Sequence, residues 1–324
     1  MERAVSLAVG YHVVEGKFPG TAYPATTCLD VDAEGAYWAR VASHLSLCRI
    51  YFKGAPEIEF IARQARAAPF ANIVIGNEPN LPIEKFPGGA DRFSDYWTRI
   101  AMALPDRQVW YPSPSPGVEG WRDWITHPDS RAAIAKSAGI AVHAYGELDQ
   151  IKEIVWWYSQ TFPNTPLWLA EWNFGAGRTR DINQWARETI RPLLDWINTA
   201  VPVCVAATYF AWQWPSVDMP ISTPVDAAGT AVASEIDSWI AANPWSPTPV
   251  APPPPAIPPT GNRAHVTRMV PVDPVKKPLK KPDPVTAILD GLWAETEQLA
   301  AIDHKDRAVR LQKGIGALKA AIGR

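Results

Sequence analysis

Two glutamates in this chain stand where a strand would hand its last side chain to a catalytic rim. In Asn72-Ile73-Val74-Ile75-Gly76-Asn77-Glu78-Pro79-Asn80, a β-rich run ends in an amide, a carboxylate and a proline. Proline cannot continue a strand ladder, so Asn77 and Glu78 fall at the carboxyl end of that strand. In Pro166-Leu167-Trp168-Leu169-Ala170-Glu171-Trp172-Asn173, a second carboxylate closes a second apolar run, flanked by aromatics. Two carboxyl groups on one rim are what cleavage of a glycosidic bond requires: one protonates the leaving oxygen while the other attacks the anomeric carbon or activates water.

The elements that must position this pair are legible as an alternation of short apolar runs and longer amphipathic stretches. The runs are 5–13, 45–52, 72–76, 108–111, 140–143, 167–171 and 203–210, and the intervening helices are expected over 33–43, 57–67, 93–103, 121–137, 149–160, 182–198 and 226–242. Strands alternating with helices indicate βα units and a parallel sheet. Seven strands at regular spacing favour a (β/α)8 barrel of the TIM type over an open doubly wound sheet. The first strand is followed by no glycine-rich nucleotide loop, since Gly10-Tyr11-His12-Val13 has none of the required glycine spacing. The eighth strand is expected within 21–31, with degeneracy of the first half of the barrel as the alternative.

Asn77-Glu78-Pro79 on one strand, with Glu171 three strands further on, resembles clan A of the glycoside hydrolases, a group of (β/α)8 retaining enzymes. The resemblance covers about residues 5–242. It implies Glu78 on the fourth strand as general acid/base and Glu171 on the seventh as nucleophile, which places the uncounted strand before Asn72. It also implies roles for Asn77 at the substrate hydroxyl beside the anomeric carbon and for Arg49 near the nucleophile. His143 and Tyr145 would face the carboxylates from the sixth strand, and Trp212 or Trp214 would form a floor under the sugar. Arg49 and the Tyr145 hydroxyl close to Glu171 would favour its ionised form. Neither a cofactor nor a metal is expected: His127 and His143 lack ligand spacing such as HExxH.

Composition narrows the partners. The 324 residues carry 31 basic and 33 acidic side chains, a formal charge of −2, so nucleic acid is a poor partner. No apolar run reaches membrane-spanning length. Cys28, Cys48 and Cys204 show no disulfide or metal spacing and read as buried thiols. Sixteen tryptophans offer flat faces suited to sugar rings, although packing explains more than half of them.

From Pro244 to Pro284 the chain holds 14 of its 33 prolines, a semi-rigid spacer. Beyond it, 285–324 has two helical periodicities expected to self-associate or dock to a partner. The expected division is therefore a barrel over 1–243, a Pro-rich linker over 244–284 and a helical segment over 285–324. The start Met1-Glu2-Arg3-Ala4-Val5 lacks a leader pattern. Cytoplasmic synthesis is thus expected, and a phage-encoded endolysin acting on a cell envelope fits the same architecture. The substrate class expected is a polysaccharide or oligosaccharide. The rival readings are a carbohydrate-binding barrel without turnover and a display module of a virion.

Overall fold

The structure, a computed structural model, describes residues 6–13, 23–29, 45–174, 181–211 and 227–245. Eight parallel strands close into a barrel in chain order: β1 (Ala8–Val13), β2 (Ala25–Leu29), β3 (Leu45–Ile50), β4 (Asn72–Ile75), β5 (Gln108–Pro112), β6 (Ile140–Tyr145), β7 (Leu167–Asn173) and β8 (Cys204–Phe210). β8 pairs back onto β1, so no edge strand is left. The strand that periodicity alone does not reveal is β2, inside the stretch where it was expected. Its sequence, Ala-Thr-Thr-Cys-Leu, alternates too weakly to announce itself.

Helices α1 (Ile58–Ala67), α2 (Ala90–Met102), α3 (Trp121–Thr126), α4 (Pro128–Ile134), α5 (Leu148–Thr161), α6 (Ile182–Ala200) and α7 (Ala231–Ala242) surround the strands among the described residues. One helix expected over 121–137 is two. His127 precedes Pro128 and is held extended (φ −50°, ψ 140°), because the proline ring disfavours helical backbone in the residue before it. The imidazole of His127 then caps α4, accepting from the Asp129 amide at 3.4 Å. The helix expected over 33–43, the linker and the tail lie outside the described residues.

Alternation along the strands builds two cores. Outward side chains such as Val9, Cys28, Cys48, Ile73, Tyr111, Leu169 and Tyr209 pack against the helices. Inward ones form a separate plug: Ala8, Ala25, Leu47, Val74, Trp110, Ala141, Trp168, Ala170 and Ala206. Trp110 and Trp168 meet edge to face at 5.7 Å inside the barrel. The surrounding alanines leave them the room, and the large-with-small pattern fills the interior as a packed core. Trp245, beyond α7, packs against this plug together with Leu45, Ala138 and Val205. Gly10 is needed for closure: a Cβ there would lie 1.9 Å from the Ala25 carbonyl oxygen on β2. All three cysteines are buried and none forms a disulfide.

Candidate active site

Strand parity places most of the site. On β6, Ala141 belongs to the inner plug, so His143 and Tyr145 also point inward, at the carboxyl end. On β3 the same two-residue step runs from Leu47 to Arg49, and on β1 from Ala8 to His12. Strict alternation on β7 would carry the inner row from Trp168 and Ala170 to Trp172, and would turn Glu171 towards the helices. The structure instead shifts register. Val142 pairs with Leu169 but His143 pairs with Glu171, so β7 carries one extra residue. This bulge reverses the phase: Glu171 enters the barrel, and Trp172 packs in the outer core against Tyr209 at 5.1 Å. The hydroxyl of Thr208 on β8 reaches the Ala170 carbonyl oxygen at 2.9 Å and so holds the bulge.

Glu78 arrives by another device. β4 ends at Gly76, which takes φ +86° and donates its amide to Ile50 O at 3.0 Å. Glu78 follows with φ +26°, uncommon for a residue with a side chain. The amide of Leu81 donates to Glu78 O at 2.8 Å and closes the turn. The carboxyl is thereby directed over the barrel mouth, where it is buried.

The two carboxylates meet at one imidazole. His143 Nδ1 lies 3.1 Å from Glu78 Oε1 and 3.6 Å from Glu171 Oε2. Their nearest oxygens are therefore within about 7 Å, a bound that admits the ~5–5.5 Å spacing of retaining glycosidases and only the short end of the inverting range. The ring of His143 is fixed from behind, since its backbone amide donates to Ser113 Oγ at 3.0 Å.

Glu171 is the more heavily supported of the pair. Arg49 Nη1 donates to its Oε1, and the Tyr145 hydroxyl donates to its Oε2. His12 Nδ1 stands 3.5 Å from Oε1. Burial by itself pushes the Glu171 carboxyl up. The Arg49 guanidinium is the largest opposing influence, with His143, His12 and the Tyr145 hydroxyl adding to it, and together they bring it down to about 2. Glu171 is thus held ionised. The phenol of Tyr145 moves the other way, well above its ordinary value, through burial and the carboxylate beside it, and remains a donor. His12 is driven down to about 3, chiefly by burial and further by Arg49 and His143, which outweigh the pull of Glu171; its imidazole is neutral.

Asn77 connects the two halves of the site. Its Oδ1 accepts from Arg49 Nη1 at 2.7 Å, and its Nδ2 donates to Glu84 Oε1 at 2.9 Å. Of the eight residues singled out from sequence, six converge here: Glu78, Glu171, Asn77, Arg49, His143 and Tyr145. Trp212 and Trp214 lie outside the described residues. Sequence reasoning missed His12, Ser113, Glu84 and Thr208. Strand parity from Ala8 could have found His12, whereas Glu84, six residues beyond Glu78 in a loop, carries no periodic signal. Among the described residues no group of His, Cys, Asp and Glu could hold a metal ion.

No protein-family model matches the sequence, and no curated protein does. Solved structures are similar in fold. A GH128 subgroup I endo-β-1,3-glucanase from Amycolatopsis mediterranei, in complex with laminaritriose, superposes with a TM-score of 0.51 at 14% identity, covering 72% of this chain and 99% of that one. A subgroup IV endo-β-1,3-glucanase from Lentinula edodes gives 0.51 at 13%, covering 71% and 98%. A curdlan-specific subgroup III exo-β-1,3-glucanase from Blastomyces gilchristii, in complex with glucose, gives 0.50 at 15%, covering 71% and 97%. The class that the topology defines is the (β/α)8 barrel, with a pair of buried carboxyl groups at its C-terminal mouth. At this identity the likeness concerns the fold, and the chemistry has to be argued from the side chains.

Proposed function

We propose that the protein is a retaining glycoside hydrolase that cleaves O-glycosidic bonds in a polysaccharide, with Glu171 as nucleophile and Glu78 as general acid/base. The observation that carries this reading is the single nitrogen of His143 shared by both carboxyl groups, which limits their separation to a sugar-sized gap. The differing support of the two groups favours the same division of labour: Glu171 is fixed as an anion by Arg49 and Tyr145, while Glu78 is contacted by neither.

In the first step Glu171 attacks the anomeric carbon, the bond to the leaving oxygen breaks, and the proton of Glu78 passes to that oxygen. The product is a glycosyl ester of Glu171. Water then attacks the same carbon, Glu78 takes its proton, and the ester bond breaks to regenerate the Glu171 carboxylate with the original anomeric configuration. Tyr145 keeps its proton throughout and can follow the charge on the Glu171 oxygen as it disappears and returns. The barrels similar in fold act on β-1,3-glucans, so β-1,3-gluco-oligosaccharides are the first substrates to test.

Glu171→Ala should abolish turnover of 2,4-dinitrophenyl β-laminaribioside, and added azide should restore it with a product of inverted configuration. Glu78→Gln should lose about 10²–10⁴-fold on laminari-oligosaccharides and far less on the dinitrophenyl substrate, whose leaving group needs no proton. Full activity in Glu171→Ala without azide would remove the assignment.

A further inference from the structure

We infer that Glu84 is a positioning residue for Asn77, fixing which end of that amide faces Arg49 and which faces the sugar; this rests on the glycosidase reading above. The backbone of Glu84 is already committed. Its amide donates to Leu81 O at 3.0 Å, and its carbonyl accepts from the Gly54 amide at 2.7 Å, which ties the loop after β4 to the loop after β3. Pro82 starts the short 3-10 turn Pro82–Glu84, so its end is placed with little freedom. The side chain is therefore not needed to close the turn, and it is directed inward, with the residue only 5% exposed.

A carboxyl buried this far lowers stability unless it is hydrogen-bonded. Burial pushes the Glu84 carboxyl above its usual range, with hydrogen bonds from Asn77 and Tyr51 pulling the other way. What the burial provides is a fixed acceptor at 2.9 Å from Asn77 Nδ2. Arg49 Nη1 occupies the opposite end of the amide, at 2.7 Å from Oδ1. Rotating the Asn77 amide by half a turn would set Nδ2 against the guanidinium and Oδ1 against the Glu84 carboxyl, two repulsive contacts at once. The amide thus has one orientation, and its second Nδ2 hydrogen is left for an acceptor in the cleft. In the double-displacement mechanism that acceptor is the hydroxyl beside the anomeric carbon, whose hydrogen bond strengthens in the transition state. Without Glu84 the amide loses one of its two anchors.

The test combines kinetics with a measurement on the free protein. Wild type, Glu84→Ala and Glu84→Gln are assayed on 2,4-dinitrophenyl β-laminaribioside and on its analogue lacking the 2-hydroxyl on the transferred sugar. Glu84→Ala should lower kcat/KM on the first by about 10–100-fold, mostly in kcat, and by less than about twofold on the second. Glu84→Gln, which retains an acceptor oxygen, should recover most of the loss. An equal loss on both substrates overturns the inference, because a loosened fold does not sense one hydroxyl. In the wild type, the two side-chain amide protons of Asn77 should exchange with solvent at different rates, the one bonded to Glu84 being slower. Equal rates overturn the inference even if Glu84→Ala fails to fold. If the wild type cleaves neither glycoside, the glycosidase reading fails on that substrate class, while the exchange measurement still decides what Glu84 does.

Discussion

Glu171 and His12 touch within the barrel mouth and are displaced in the same thermodynamic direction, with a consequence for acid stability. The folded protein resists protonating His12 until about pH 3, whereas an unfolded chain takes up that proton near pH 6.5. Stability is therefore lost as pH falls from about 6.5 towards 3. Glu171 adds to this lower down. Its folded value near 2 lies below the ordinary carboxylate value of 4.5, so the stability it contributes is complete above 4.5 and declines as pH falls from there towards 2. The two windows join into one continuous acid-side slope. His12→Asn should flatten only the upper part: between about pH 7 and about pH 5 its Tm should fall clearly less than that of the wild type, followed by circular dichroism. Identical falls over that interval would place the titrating group elsewhere.

At the scale of elements, the catalytic geometry depends on one irregularity in β7. Because side chains alternate with a period of two, inserting a residue reverses every later side chain, and the bulge before Glu171 does this in mid-strand. Thr208 is the hub of the bulge. Its hydroxyl donates to Ala170 O, and its oxygen is within reach of Thr27 Oγ1 at 2.7 Å and of Trp168 Nε1 at 3.4 Å. Thr208→Val keeps the shape and removes all three bonds, leaving buried partners unsatisfied. We expect a loss of roughly 1–3 kcal/mol in stability and a kcat lowered at least about tenfold, since Glu171 would no longer be held in place. Urea unfolding and steady-state kinetics on the same preparation check both, and an unchanged kcat would show that the bulge holds without Thr208.

For the whole molecule, the described residues close the barrel by Phe210, cover it by α7 and plug it with Trp245. A chain cut after Trp245 should therefore unfold at the Tm of the full chain and retain its activity. Trp245→Ala should lower Tm, because burying a large aromatic against Leu45, Ala138 and Val205 stabilises by about 1–3 kcal/mol. A cut chain that melts much lower would assign part of the barrel's stability to the Pro-rich segment or to residues 285–324.

The sequence by itself determined the barrel, because alternating apolar runs and amphipathic stretches are local patterns that each element must show to bury one face. It also determined that Glu78 and Glu171 stand at strand ends, since Pro79 stops one strand and a glycine-rich stretch comes after Phe174 at the end of the other. Parity from Leu47 and Ala141 carried Arg49, His143 and Tyr145 to the same side. Only the tertiary structure decided which way Glu171 faces. Strict alternation turns it outward, and the extra residue that turns it inward is set by the pairing of β7 with β6 and β8, not by anything local to β7. The same holds for Glu84 and His12. A carboxyl on a loop or an imidazole on a first strand gains its meaning from what closure of the barrel brings against it, and closure joins residues more than a hundred positions apart.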